Sequence, residues 1–198
     1  MIPAQMKRTT LFSQALPLAL GVIAYFLVVG PRALNPTNIA WLGGGDAATH
    51  YLGWLFYQNS PWEFPLGLNP SYGLELASSV LYSDSNPLFA FLFKPFSFIL
   101  PAPFQYFGIW LLLCFTLQAW FGWKLVGLST RSTSLRLLAT GLFVFAPPML
   151  DRLHQHLILV GHFFILAALY LYFHSGLKRP ALAWCLLAAA TALVHAYL

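Results

Sequence analysis

The sequence predicts an all-α integral membrane protein with about five transmembrane helices and a large first extracytoplasmic loop containing short surface-lying helices. Three observations predict this class. Only 8% of the 198 residues are charged and 59% are hydrophobic, against roughly 25% charged in a soluble domain. Mean hydropathy is +0.71. Apolar runs near the ~20 residues that a spanning helix needs recur along the chain. So few charges cannot hydrate a surface in every direction, and lipid is the natural solvent. The 17% aromatic share, with seven Trp and nine Tyr, suits anchoring at a membrane interface. A net charge of +5 does not point to nucleic acid, because the basic residues stand singly or in pairs and form no stripe.

One membrane domain is expected over 1–198, beginning with span 1 at 11–29 and ended by Gly30-Pro31. No convincing small-residue cleavage site follows the N-terminal MIPAQMKRTT, so this span is expected to be retained. Residues 31–102 form the loop, too long for an ordinary connection and therefore functional or internally helical. Within it, 47–57 reads as a short helix and 61–79 as turns and irregular structure. Asn86-Pro87 reads as a helix start, with Asn at the N-cap and Pro at the first position. Spans 2 to 5 are expected at 104–123, 135–150, 157–173 and 181–198. The sequence ends at Leu198 inside an apolar run, as expected of the N-terminal piece of a longer protein.

Residues 88–100 could cross the membrane, giving six spans, or lie along it, giving five. The positive-inside rule favours five. With Lys7 and Arg8 cytoplasmic, Lys124, Arg131, Arg136, Lys178 and Arg179 join them, leaving only Arg32, Lys94 and Arg152 outside. A crossing would also place Lys94 in the bilayer, at roughly 2.5–3.5 kcal/mol. All five acidic residues then fall outside: Asp46, Glu63, Glu75 and Asp84 in the first loop, and Asp151 in the next external turn.

The strongest local pattern is Gly43-Gly44-Gly45-Asp46 followed by His50 and Trp54. Four-residue spacing puts Asp46, His50 and Trp54 on one helix face, with Leu52, Leu55 and Phe56 turned away. A carboxylate, an imidazole and an aromatic surface suit a sugar or phosphate site. The simpler reading is that Asp46 caps the helix and His50 braces it. Further on, Glu63 lies among turn and aromatic residues where Trp62 and Tyr72 suit interface anchoring. Asp84 lies in a turn feeding a helix, as a turn residue or a contributor to phosphate binding through a metal.

The external Asp151-Arg152-Leu153-His154-Gln155-His156 is abruptly polar, and Arg152 suits an anionic lipid phosphate. His154 and His156 diverge on a helix or strand, so no His-His metal site is expected. His162 is expected to face other helices, His174 to be interfacial, and His195 has no evident partner. Cys114 and Cys185 lie in apolar runs and read as packing residues. The sequence has no P-loop, GxSxG, HExxH, CxxC or dinucleotide fingerprint.

Gly45-Asp46 with His50-Tyr51-Leu52-Gly53-Trp54, Trp62-Glu63-Phe64-Pro65-Leu66-Gly67, Tyr82-Ser83-Asp84-Ser85-Asn86-Pro87, and Asp151-Arg152 with His154 carry a resemblance. The layout resembles the N-terminal part of GT-C-type glycosyltransferases, within an uncharacterised bacterial multi-spanning subfamily. The resemblance implies a bacterial plasma (inner) membrane enzyme with a cytoplasmic N-terminus, transferring a sugar from a polyprenyl-phosphate donor to an extracytoplasmic acceptor. Asp46 would be the catalytic base. His50, Trp54, Glu63, Asp84, Asp151, Arg152 and His154 would contribute to substrate binding. The implied partners are membrane lipid and the lipid-linked sugar; the cofactor is open, with a divalent ion such as Mg or Mn compatible. Unlike better-known members, the first loop has no Asp-Glu or Asp-x-Asp pair. The alternatives are a lipid or polysaccharide transporter or flippase, which would place ionisable residues at mid-membrane, and a non-catalytic membrane scaffold.

Overall fold

A computed structural model describes residues 4–73, 77–174, 176–195 and 197–198, with side chains from Gln14 onward. Glu75 lies outside the described residues, as do the Lys7 and Arg8 side chains. The all-α expectation holds among the described residues. The helices are α1 (Ala4–Val28), α2 (Gly45–Asn59), α3 (Pro87–Phe93), α4 (Phe107–Val126), α5 (Thr133–Val144), α6 (Pro147–Gln155), α7 (Phe163–Phe173) and α8 (Pro180–Val194). The one departure is a two-residue antiparallel ladder between β1 (Leu68–Asn69) and β2 (Ser78–Ser79), inside a stretch expected to be irregular.

Helix α4 is the axis of the fold, with α1, α5 and α7 packed around it. Close crossing depends on glycine at two points. A methyl on Gly21 would meet the backbone at Phe115 and Thr116, and one on Gly108 would overlap the Ala33 carbonyl. The Gln105 side chain fastens the same corner. Its amide donates to Ala33 O (2.8 Å) and Asn35 O (2.9 Å), and its oxygen accepts from the Gly108 N–H (3.0 Å). The start of the 31–102 segment is thereby fixed to the start of α4.

An aromatic cluster holds the rest of that segment down. Trp54, Tyr106, Phe107 and Trp110 are fully or nearly fully buried, and Phe93 stacks on Tyr106 at 5.6 Å with the rings 8° apart. Trp54, Trp110 and Tyr106 each find a partner for their polar atom, as buried Trp and Tyr usually do. Trp54 Nε1 donates to Phe104 O (3.1 Å), Trp110 Nε1 to Leu157 O (2.9 Å), and the Tyr106 hydroxyl to Ser85 O.

Several expected boundaries move. The 135–150 stretch is not one helix: α5 ends before Phe145-Ala146, and Pro147 opens α6. Ala146 is extended (φ −60°, ψ 126°), as a residue before proline prefers. The polar run 151–155 is therefore helical and lies on α6, whereas a turn was expected. The 157–173 stretch begins with the single turn Leu157–Val160, and α8 stops at Val194, not at Leu198. Among the described residues, two stretches are long and apolar enough to cross a membrane, Phe107–Val126 and Thr133–Gln155. The apolar helices at 87–96, 157–173 and 180–194 are shorter, and α1, 25 residues long, is apolar over 14–28.

Residues 87–96 make only a short helical piece. At ~1.5 Å per residue it reaches about half of a ~30 Å hydrocarbon core. Its Lys94 is 4% exposed and folds back beneath α2, donating to Tyr57 O and to Ser60 O (2.9 Å), with the ammonium over the Tyr57 ring. The lysine thus satisfies carbonyls at the α2 C-terminus, and burial pushes its pKa down to about 8.

Candidate functional site

The glycine run Gly43-Gly44-Gly45, with Gly45 at φ +56°, turns the chain into α2 and leaves Asp46 in its first turn. Asp46 does not cap the helix; the N-cap is Gly44, with no side-chain cap bond. The carboxylate instead meets His156, with Oδ2 2.6 Å from Nδ1. His156 ends α6, just after the polar run, and its other nitrogen, Nε2, has no hydrogen-bond partner among the described residues. A carboxylate accepts from Nδ1–H and so fixes the tautomer with its free lone pair on Nε2. That arrangement makes an imidazole a proton acceptor.

One turn along α2, His50 is 3% exposed. Its Nδ1 faces the Ser83 carbonyl at 3.4 Å, which can only accept, so the proton belongs on Nδ1. Nε2 is then a bare lone pair, buried and without a partner among the described residues. Burial lowers the pKa of His50, opposed by the Ser83 carbonyl and by the carboxylates of Asp84 and Asp46. The histidine is therefore neutral near pH 7. A ring-nitrogen NMR titration of the folded protein should give His50 a midpoint below the ~6.5 of free histidine.

The 83–86 segment reaches this face because Gly53 leaves room for it. A side chain at Gly53 would collide with Ser83 and Ser85. Ser85 Oγ donates to His50 O (2.7 Å) and lies 2.8 Å from Ser83 Oγ. Asp84 and Asn86 both adopt positive φ (49° and 51°), and the Asn86 side chain caps α3 by accepting from Phe89 N (3.3 Å). The turn presents Asp84 outward to His195, with Oδ1 3.0 Å from Nε2. His195 Nδ1 accepts from the Tyr197 N–H (3.1 Å). Both its nitrogens are occupied, so this pair fastens the end of α8 to the loop, in contrast to the half-free His156.

Five titratable groups, His156, Asp46, His50, Asp84 and His195, thus gather at the junction of α2, α6, α8 and the 83–86 turn. The structure brings together Asp46, His50 and Asp84 from the residues expected at the site. It corrects Trp54, whose ring is fully buried and bonded to Phe104 O, so it braces α2 and cannot touch a substrate. His50 is likewise buried. Glu63 is exposed and makes no ion pair among the described residues. Asp151 and His154 are exposed on α6, and Arg152 is half-buried. Arg152 stands four residues before His156, whose N–H donates to Arg152 O (2.8 Å), so the two share one side of the α6 terminus.

The chain matches the family described as "Domain of unknown function (DUF6311)" over residues 18–198. It belongs to the DUF6311 family. No curated protein and no solved structure matches it.

In this DUF6311 chain the matched region includes every group of the junction. A divalent ion finds a poor donor set there. No cluster of three His, Cys, Asp or Glu side chains is arranged for one among the described residues. Asp46 and Asp84 each commit an oxygen to a histidine, whereas Mg²⁺ demands near-octahedral oxygen ligation. His156 and His195 were missed as partners from sequence. The usable signal was topological: the expected five-span arrangement puts the 151–156 run and the end of the fifth span on the same side as the acids.

Proposed function

We propose that this DUF6311 chain is an integral membrane glycosyltransferase, or a piece of one, with the Asp46–His156 pair as its acid–base centre. The observation that carries the reading is that pair, with His156 Nε2 free and Arg152 one turn away. An acceptor hydroxyl would give its proton to His156 Nε2 while its oxygen attacks the anomeric carbon. The bond from that carbon to the polyprenyl-phosphate oxygen breaks, and the electron pair leaves on the phosphate. Asp46 stabilises the imidazolium that forms. Arg152 offers the leaving phosphate a planar cation.

Membrane insertion is supported by apolar faces left largely exposed among the described residues. On α5, Leu135, Leu138 and Leu142 form a helical stripe exposed by 56%, 70% and 77%. In the loop, Trp62, Phe64 and Phe98 are exposed as residues at headgroup level would be. On five spans with an inside N-terminus, an impermeant thiol reagent applied to cells expressing single-cysteine variants should label Glu63→Cys and spare Lys178→Cys. The reverse pattern would invert the chain and remove the reading.

The functional test is transfer. Membranes containing the protein should move label from a radiolabelled polyprenyl-phospho-sugar to an outside acceptor. Substrate flux across proteoliposomes without chemical turnover would replace this reading with transport.

A further inference from the structure

We infer that the groove between α7 and α8 holds the chain of an uncharged glycolipid whose sugar headgroup rests on Asp84 and His195. This rests on the reading above, because it names the acceptor class. Two cavities meet at His195. One, about 550 Å³, runs between Phe164 and Ala168 of α7 and Trp184, Ala188 and Thr191 of α8. The other, about 270 Å³, is bounded by Asp84, Tyr82, Tyr197 and His195. Ala192 and His195 border both, so an apolar channel opens directly onto a carboxylate flanked by tyrosines.

The lining selects the occupant. Alanines at 168, 188 and 192 leave a slot whose walls are almost wholly apolar, with the Thr191 hydroxyl already bonded to Leu187 O (2.8 Å). Nothing in the slot rewards a polar group. At its end, Asp84 keeps Oδ2 available and is 42% exposed, while both nitrogens of His195 are engaged. A carboxylate accepts from sugar hydroxyls, and the exposed Tyr82 and Tyr197 rings offer faces for a pyranose. A phosphate headgroup would face the Asp84 charge with no Lys or Arg among the described residues lining that cavity, and with both nitrogens of its one histidine, His195, already engaged. A protein helix laid over both cavities would also bury the Asp84 carboxylate, now 42% exposed, and taking that charge out of water is costly.

The full chain in lipid nanodiscs tests this with two chain-brominated probes of equal length, an alkyl glucoside and an alkyl phosphate. Quenching of the Trp184 fluorescence component, defined by subtracting Trp184→Phe, is the readout. The glucoside should quench at roughly tenfold lower mole fraction than the phosphate, the scale of a lost charge-assisted hydrogen bond. Asp84→Asn should bring the two within about twofold, and Ala188→Phe should abolish quenching by both. Equal quenching by both probes in the wild type would reduce the groove to an ordinary lipid-facing surface. Absence of quenching would mean that protein covers it, from a further helix or a second copy. Either outcome overturns the inference while leaving the transfer assay unaffected, and should Ala188→Phe fail to fold, the Asp84→Asn comparison decides alone.

Discussion

Asp46→Asn should lower sugar transfer by about 10³-fold, within the ~10²–10⁴ that a positioned acid–base group contributes. The asparagine keeps the size of the side chain but loses the negative charge. It no longer stabilises the imidazolium, and its amide nitrogen can donate to Nδ1, which would move the His156 proton to Nε2 and fill the lone pair that accepts from the acceptor hydroxyl. His156→Gln should cost as much. Combining the two should add little, because groups acting as one unit are not additive. Arg152→Ala should lose activity separately, through weaker hold on the phosphate. Glu63→Gln and His154→Gln, exposed and outside the junction, should stay near wild type. Radiolabel transfer by each variant, normalised to folded protein, gives the ranking. Full transfer by Asp46→Asn would end the role assigned to the pair.

Why Asp46 was legible and His156 was not is a matter of distance along the chain. Asp46 stands in a glycine-rich entry to a helix, and its relation to His50 is fixed by helical spacing alone. The pairing with His156 spans 110 positions and depends on the α5–α6 break, where Pro147 forces Ala146 out of the helix and re-aims the polar run. Hydropathy sees only an apolar stretch there. His195 was hidden by a boundary: an apolar run to Leu198 reads as continuous helix, yet the helix stops at Val194 and frees the imidazole for Asp84. Trp54 shows the opposite error. Its helical face was right, but the face that carries Asp46 is also the one that buries against Phe104 and Tyr106, so an aromatic platform in sequence became a core residue in space. Lys94 follows the same logic: only the fold reveals that the carbonyls of Tyr57 and Ser60 provide for its charge.

Gly108→Ala should destabilise the protein by about 3 kcal/mol, the upper part of the range for overpacking a close contact. The added methyl meets the carbonyl of Ala33, and backbone on both sides leaves no flexible side chain to yield. Relief requires the Pro31–Leu34 turn to lift from α4, and that lift stretches the Gln105 bonds to Ala33 and Asn35. Gly21→Ala should act similarly, since its methyl would press on Thr116 Cα and Phe115 O where α1 crosses α4. Gly141→Ala is the internal control: open space surrounds that position, and alanine in a helix interior gains up to ~1 kcal/mol over glycine. Unfolding in mixed detergent, followed by tryptophan fluorescence, should therefore separate the three glycines by sign as well as size. Identical shifts for Gly108→Ala and Gly141→Ala would mean that the turn does not rest on α4. The loop would then lose its anchor at that end, and with it the physical reason for Asp46 to be held within reach of His156.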